Sequence, residues 1–425
     1  MTTTPPQPPS AFAVAAAGMV ALAVAMGIGR FAFTPLLPMM LHDGVVDLHA
    51  ASWLASANYL GYLSGALLCT FVPLLWSRLS NAAPIDGPKL VRIGLAGTTV
   101  LTLAMALPFA ALWPVLRFLA GVASAMVFVF CSGWCLTQLA LHGRAALGGA
   151  MFTGPGAGIV ASGLLASAMV AWQGSSAAAW LVFGALAFAL SASVWRVFRT
   201  VAPQHGGAGA ASGGTAAARA ATAPSNGASL HPHAEVATLA LAYGISGFGY
   251  IVTATFLPVI ARAALPAGSP WLDLFWPIFG AGVILGALLA TRVRVSGDLR
   301  LVLSGCYLVQ VVAIAIGLVA PTETGFAIGS FLLGLPFAAI TYFALQEVRR
   351  LRPQQVAATT GLVTAVWSLG QTAGPPMVAV LLRRGAAVGE AFATSLLIAA
   401  GALGFGALVF LVSSRLWPRR APAAG

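Results

Sequence analysis

The chain has 425 residues, 59% of them hydrophobic and only 7% charged. A soluble domain carries about 25% charged residues, so a water-soluble globule is excluded. The net charge of +12 would suit a nucleic-acid partner. The basic residues, however, stand at the ends of apolar runs and form no patch interleaved with aromatics, which excludes that partner too.

In chain order, nearly charge-free runs fall near residues 12–40, 51–76, 90–109, 112–140, 146–172, 175–198, 236–261, 271–291, 300–319, 324–346, 356–382 and 391–414. Each is about long enough to cross ~30 Å of hydrocarbon as a helix. A membrane barrel would show runs of about ten residues with strict alternation. The expected fold is therefore an all-α membrane protein with twelve transmembrane helices. The opening MTTTPPQPPS puts no positive residue ahead of the first run, which is also too long for a secretory leader, so the first span is expected to stay.

Span one contains GIGRFAFTPLLPMM, with Arg30 near its middle. An arginine there costs roughly 2.5–3.5 kcal/mol on insertion scales, so its side chain should face protein or a watery cavity. Three readings stand: a substrate cavity, pairing with Asp273 or helix-end carbonyls, and snorkelling. No Asp or Glu lies in the middle of a span, and Asp273 and Glu347 are near helix ends. A guanidinium without a counter-ion suits a bidentate anionic group such as a substrate carboxylate, which favours the cavity.

Asn58, Tyr59 and Tyr62 in span two are candidates to complete that cavity, each with interhelical packing as the alternative. In span four, Arg117 is open to snorkelling or to a cavity or coupling role. Cys131 and Cys135 share a helix face but have no His or acidic companion, so no metal is expected. Span five, GGAMFTGPGAGIVASG, spaces Gly154, Gly158 and Ser162 by four residues around Pro155, which makes a smooth face on a helix able to bend. The same glycine spacing in spans two, eight and eleven makes these four helices candidates for the contacts between halves.

The stretch APQHGGAGAASGGTAAARAATAPSNGASLHPH lacks bulky apolar content and reads as a linker. The expected division is a tail at 1–11, a six-helix bundle at 12–200, the linker at 201–234, a second bundle at 235–416 and a tail at 417–425. In span eight, Asp273 is the least poor candidate for a proton carrier if drawn inward. At the end of span ten, Glu347 with Arg349 and Arg350 reads as a solvated cluster or a latch, and Tyr342 is a further cavity candidate. Thr364, Trp367, Ser368 and Gln371 fall on one stripe of span eleven. Trp53, Trp76, Trp113, Trp172, Trp195, Trp271 and Trp417 lie near span ends, as interfacial anchors do.

The halves repeat. GIGRFAFTPLLP at Gly27 aligns with GFGYIVTATFLP at Gly247, and GPGAG at Gly154 with GPPMV at Gly374, both at an offset of 220. GALLCT at Gly65 aligns with GALLAT at Gly286, offset by 221. Arg30 thus corresponds to Tyr250. Parallel repeats of this kind build two-bundle transporters. With the N-terminus inside, sixteen of the 21 basic residues fall on cytoplasmic segments, the usual orientation signal.

Together these features resemble the major facilitator superfamily, and GIGRFAFTPLLP, ASANYLGYLSGALL and GFGYIVTATFLP resemble its YbfB/YjiJ branch. The likeness implies the major facilitator fold of two parallel-repeat six-helix bundles. Gly154, Pro155 and Gly158 match the Gly-Pro motif of exporters, with Gly374 and Pro375 as their repeat counterparts. Arg117 with Gly121 matches the fourth-helix arginine motif. The loop WSRLSNAAPIDGPKLVR departs from the family's usual charged pattern, which puts the usual charge-relay gate in doubt. The implied protein is a monomeric secondary transporter of a bacterial cytoplasmic (inner) membrane with both termini inside. Its partners would be a small organic solute of anionic character, the bilayer and a candidate coupling proton, with no cofactor. The histidines lie in loops and no span holds an activated nucleophile, so an enzyme is not expected. A transporter-like sensor that binds without moving its ligand is the alternative.

Overall fold

The computed structural model describes residues 9–76, 86–199, 232–292, 297–353 and 355–418. Most of the expected linker, much of the loop after span two and the ends of both tails lie outside these residues. Helices occupy all twelve expected runs, and no strand occurs among the described residues. Among the described residues, nine helical segments are long and apolar enough to cross a membrane. The other three runs hold the helices Leu48–Trp76 (span two), Gly87–Ala104 (span three) and Val356–Arg383 (span eleven). Span three is diluted by Lys89 and Arg92, and span eleven by an amide, hydroxyls and two prolines.

Span one was expected to be continuous but is broken. An α-helix over Ala11–Leu22 widens into a π-helix over Ala23–Ile28, turns through residues 29–32, and resumes as Phe33–His42. The amides of Gly29 and Phe31 reach back five residues, to the carbonyls of Val24 (2.9 Å) and Met26 (3.1 Å). Span five is likewise interrupted just before Pro155, between Gly148–Met151 and Gly154–Ala171. Span ten breaks between Glu323–Gly334 and Phe337–Leu351, where Pro336 removes an amide donor.

Across the halves, span two packs on span eleven, span five on span eight, and the C-terminal part of span one (Phe33–His42) on span seven (Pro232–Ala264). The Thr34 hydroxyl donates to the Ala254 carbonyl at 2.9 Å. These residues are separated by the repeat offset, so the equivalent segments meet at the dyad that relates the halves.

The four helices expected to form the contacts between halves do so, but their regularly spaced glycines face other helices. A Cβ on Gly61 or Gly65 would meet the backbone of span four, at Phe118 and Val122, and one on Gly282 or Gly286 the backbone of span ten, at Phe331 and Leu335. Gly154 and Gly158 face Met19 and Ala23 of span one, while Gly370 faces Gly244 of span seven. Their role is packing within a half. Between halves, Gly156 and Gly163 of span five meet Ile284 and Pro277 of span eight.

Among the described residues, Glu347 and its partners form a buried cluster within the second half, where a solvated cluster or a latch was expected. Glu347 is 1% exposed. Arg350 binds Glu347 (2.7 Å) and Glu235 (2.8 Å), and Arg300 binds Asp298 (2.7 Å) and Glu235 (3.4 Å). Arg300 also donates to the carbonyls of Ser413 and Trp417. The network therefore ties spans seven, nine, ten and twelve together inside the second half. Trp113, expected at the interface, is buried and donates its indole to the Leu107 carbonyl at 3.1 Å.

Close packing makes a direct prediction. A Cβ on Gly286 would lie 1.7 Å from the Leu335 carbonyl oxygen, whereas one on Gly404 meets nothing within 4 Å. Gly286→Ala should destabilise the protein by at least roughly 1–3 kcal/mol, read as a loss of monodisperse protein and a lowered melting temperature. Gly404→Ala should match the parent in the same assay.

Candidate functional site

The break in span one sets the site. Freed carbonyls inside a membrane protein need donors, and one face of span four (Trp113–Leu141) supplies them. Arg117 donates to the carbonyls of Gly29 (3.4 Å) and Arg30 (3.2 Å), and Ser124 donates to that of Ala25 (2.8 Å). Cys131 and Cys135 continue the same face with weak thiol contacts to Gly18 and Val14. Arg117 is only 2% exposed, so it does not snorkel; it lies against the Phe33 ring, 4.8 Å from the centroid. Asn58 donates to the Arg117 carbonyl at 2.9 Å. It thus steadies span four, and its amide is not bonded to Arg30.

With the backbone held open there, Arg30 projects into the boundary between the halves, 1% exposed. Its guanidinium lies over Tyr62 (4.0 Å to the centroid), Phe31 (5.3 Å), Tyr59 (5.3 Å) and Trp367 (5.7 Å). Nη2 donates to Gln371 Oε1, and the Gln371 amide in turn donates to the Tyr250 hydroxyl. The repeat counterparts Arg30 and Tyr250 are therefore joined through one glutamine. Arg30 Nε and Nη1 have no hydrogen-bond acceptor.

An aromatic shell surrounds this chain of bonds. Trp367 stacks between Tyr250 (5.9 Å, 15°) and Tyr243 (5.7 Å, 18°). Phe337 sets its edge against Tyr250 (5.0 Å) and Phe31 (6.4 Å), and Trp276 packs on Phe31 and stacks with Phe279. The Tyr59 hydroxyl bonds that of Thr255 at 2.9 Å, another link across the halves.

Of the residues read from the sequence, Arg30, Tyr59, Tyr62, Tyr250, Trp367 and Gln371 come together. Tyr342 does not. It is 38% exposed and its ring meets Phe343. Phe337 and Thr341 face inward, and position 342 lies about 140° around the helix from Phe337. Asp273 is not drawn inward either: it binds Arg262 near the end of span seven. Ser368 spends its hydroxyl on the Thr364 carbonyl of its own helix. The residues missed were Phe31, Tyr243, Thr255, Trp276 and Phe337. Tyr243 had a visible signal, standing two helical turns before Tyr250 on one face.

Residues 22–411 match the family described as uncharacterised MFS-type transporter YbfB, and the chain belongs to that family of major facilitator transporters. No curated protein matches the sequence. Among solved structures, a mutant form of the nucleoside transporter NupG is similar in fold. The TM-score is 0.68 at 14% identity, covering 94% of this chain and 99% of that one. At that identity the likeness concerns the fold alone.

The bonds from Arg117 assign it a positioning role. Arg117→Leu removes two charged donors from span-one carbonyls, at a cost of about 1.5–3 kcal/mol for each bond. A lowered melting temperature without any ligand present is the expected result. An unchanged one would show that the carbonyls find other donors.

Proposed function

We propose that this transporter moves a small organic anion by alternating access and that Arg30 is the group that binds it. The observation carrying the reading is a guanidinium buried between the halves with two N–H groups lacking acceptors, facing no carboxylate among the described residues. Burial of such donors is costly unless something accepts from them, and a carboxylate matches their planar geometry. The moving bodies would be residues 12–200 and 235–416, joined by 201–234, with the basic ends of the spans at the cytoplasmic face. Gly154, Pro155 and Gly158, with Gly374 and Pro375, would let spans five and eleven bend against their own halves.

Two measurements test this. A melting-temperature screen of the purified protein against small carboxylates should show stabilisation, and labelled counterflow in proteoliposomes should follow for the acids that stabilise. Arg30→Ala should abolish both while leaving the chromatographic profile intact. Arg30→Lys, which keeps a point charge but loses the planar fork, should bind at least about tenfold more weakly. Near-normal flux in Arg30→Ala would remove Arg30 from the site. Binding without counterflow would instead mark a membrane sensor.

A further inference from the structure

We infer that the solute is a planar monocarboxylate, aromatic or conjugated, and that its carboxylate competes with the Gln371 side chain for Arg30. The inference rests on the anion reading of this site and names the substrate class.

The polar atoms without partners point to the charge. Arg30 Nε, Arg30 Nη1 and Trp276 Nε1 are buried without acceptors, and all three are N–H donors. Of the site's tyrosine hydroxyls, those of Tyr59, Tyr243 and Tyr250 are committed to Thr255, Thr341 and Gln371, and that of Tyr62 lies against Arg30. A polyol would meet ring faces where it needs hydrogen-bond partners. The other buried guanidinium nearby, that of Arg117, gives both Nη1 and Nη2 to the carbonyls of Gly29 and Arg30 and keeps only Nε without an acceptor. One cation is therefore on offer, which matches one carboxylate; a second would be buried unpaired at high cost.

The shape follows from the rings. Tyr243, Trp367 and Tyr250 form a parallel stack with interplanar angles of 18° and 15°, and Trp276 and Phe279 form another at 12°. Stacks of this kind present flat faces, which favour a flat partner in offset or edge contact.

Gln371 now stands where the anion would. Of the guanidinium edges open to a carboxylate, one joins Nε to Nη2 and the other joins Nη1 to Nη2. Both include Nη2, which has one hydrogen on each edge; Gln371 Oε1 takes one of them, and on that edge a carboxylate and Gln371 compete. An arriving carboxylate contests that nitrogen with a neutral amide and makes the stronger, charge-assisted bond. Arg30 belongs to the first half, and Gln371 and Tyr250 to the second. Exchange would therefore cut a hydrogen bond between the halves as the solute arrives.

Isothermal titration of the purified full-length protein with benzoate, benzamide and cyclohexanecarboxylate tests each element. Benzoate should bind and neutral benzamide should not. The puckered acid should bind about tenfold more weakly than benzoate, a difference of about 1.4 kcal/mol. Gln371→Ala, which removes the competitor, should bind benzoate about tenfold more tightly. Gln371→Glu, which supplies an ionised competitor, should bind it at least about tenfold more weakly. If Gln371→Ala does not fold, Gln371→Asn withdraws the amide by one methylene and should shift affinity in the same direction. Equal benzoate affinity in the parent and the Gln371 variants would overturn the exchange, and equal affinity for the two acids would overturn the planar class. Failure of benzoate to bind to either the parent or Gln371→Ala, or parent-like binding to Arg30→Ala, would overturn the anion reading of the site itself.

Discussion

A guanidinium buried between two helical bundles is the constraint around which the rest of the structure is arranged. Arg30 is 1% exposed, and an uncompensated charge in such a place costs several kcal/mol even after relaxation. The protein compensates with ring faces, the nearest being Tyr62 at 4.0 Å, each worth up to about 2 kcal/mol when desolvated. Gln371 adds one acceptor. Two N–H groups remain unanswered, so the closed arrangement tolerates a deficit that an ionised acceptor would remove.

That placement depends on a flaw in a helix. A regular span one would offer no open carbonyls at Gly29 and Arg30, and span four would have nothing to bind with Arg117. The π-helical turn and the donors opposite it are complementary parts, as expected where irregular backbone is sealed within protein. Glycines at 27 and 29 allow span one to lie against span five and span three, where a Cβ would meet Gly158 and Thr98. The two buried arginines divide the work: Arg117 holds the backbone, and Arg30 is left with donors to spare.

How far the site was legible in the sequence depended on which cue each residue carried. Arg30 stood out because mid-span charge is rare and costly, and the repeat offset pointed to Tyr250 as its counterpart. Trp367 and Gln371 shared a helical stripe. The broken span left no cue, since hydropathy does not distinguish α from π turns. Tyr342 misled because the Pro336 break hid which face of span ten points inward, and Phe337 was passed over as an ordinary apolar residue. Glu347 read as solvated because Arg349 and Arg350 follow it; its burial depends on Glu235 and Arg300, 112 and 47 positions away. The glycine stripes correctly announced close helix contact, but spacing alone does not say whether the partner lies in the same half.

The repeat also explains why the asymmetry of this site matters. Thr34 and Ala254 are equivalent positions in contact, so they lie at the dyad, where any rocking of one half against the other would displace atoms least. Arg30 and Tyr250 stand one helical turn away from that point, equivalent in backbone but opposite in chemistry. Had both positions been arginine, like charges would have faced each other across the dyad; had both been tyrosine, no fixed charge would demand an acceptor. One of each, bridged by Gln371, gives a bond that holds the halves together without saturating the cation. An internal carboxylate in place of the amide would satisfy Arg30 so well that a solute would have to break an ion pair to enter. A neutral amide is a weaker occupant: it joins the halves through one bond that an ionised acceptor would outcompete.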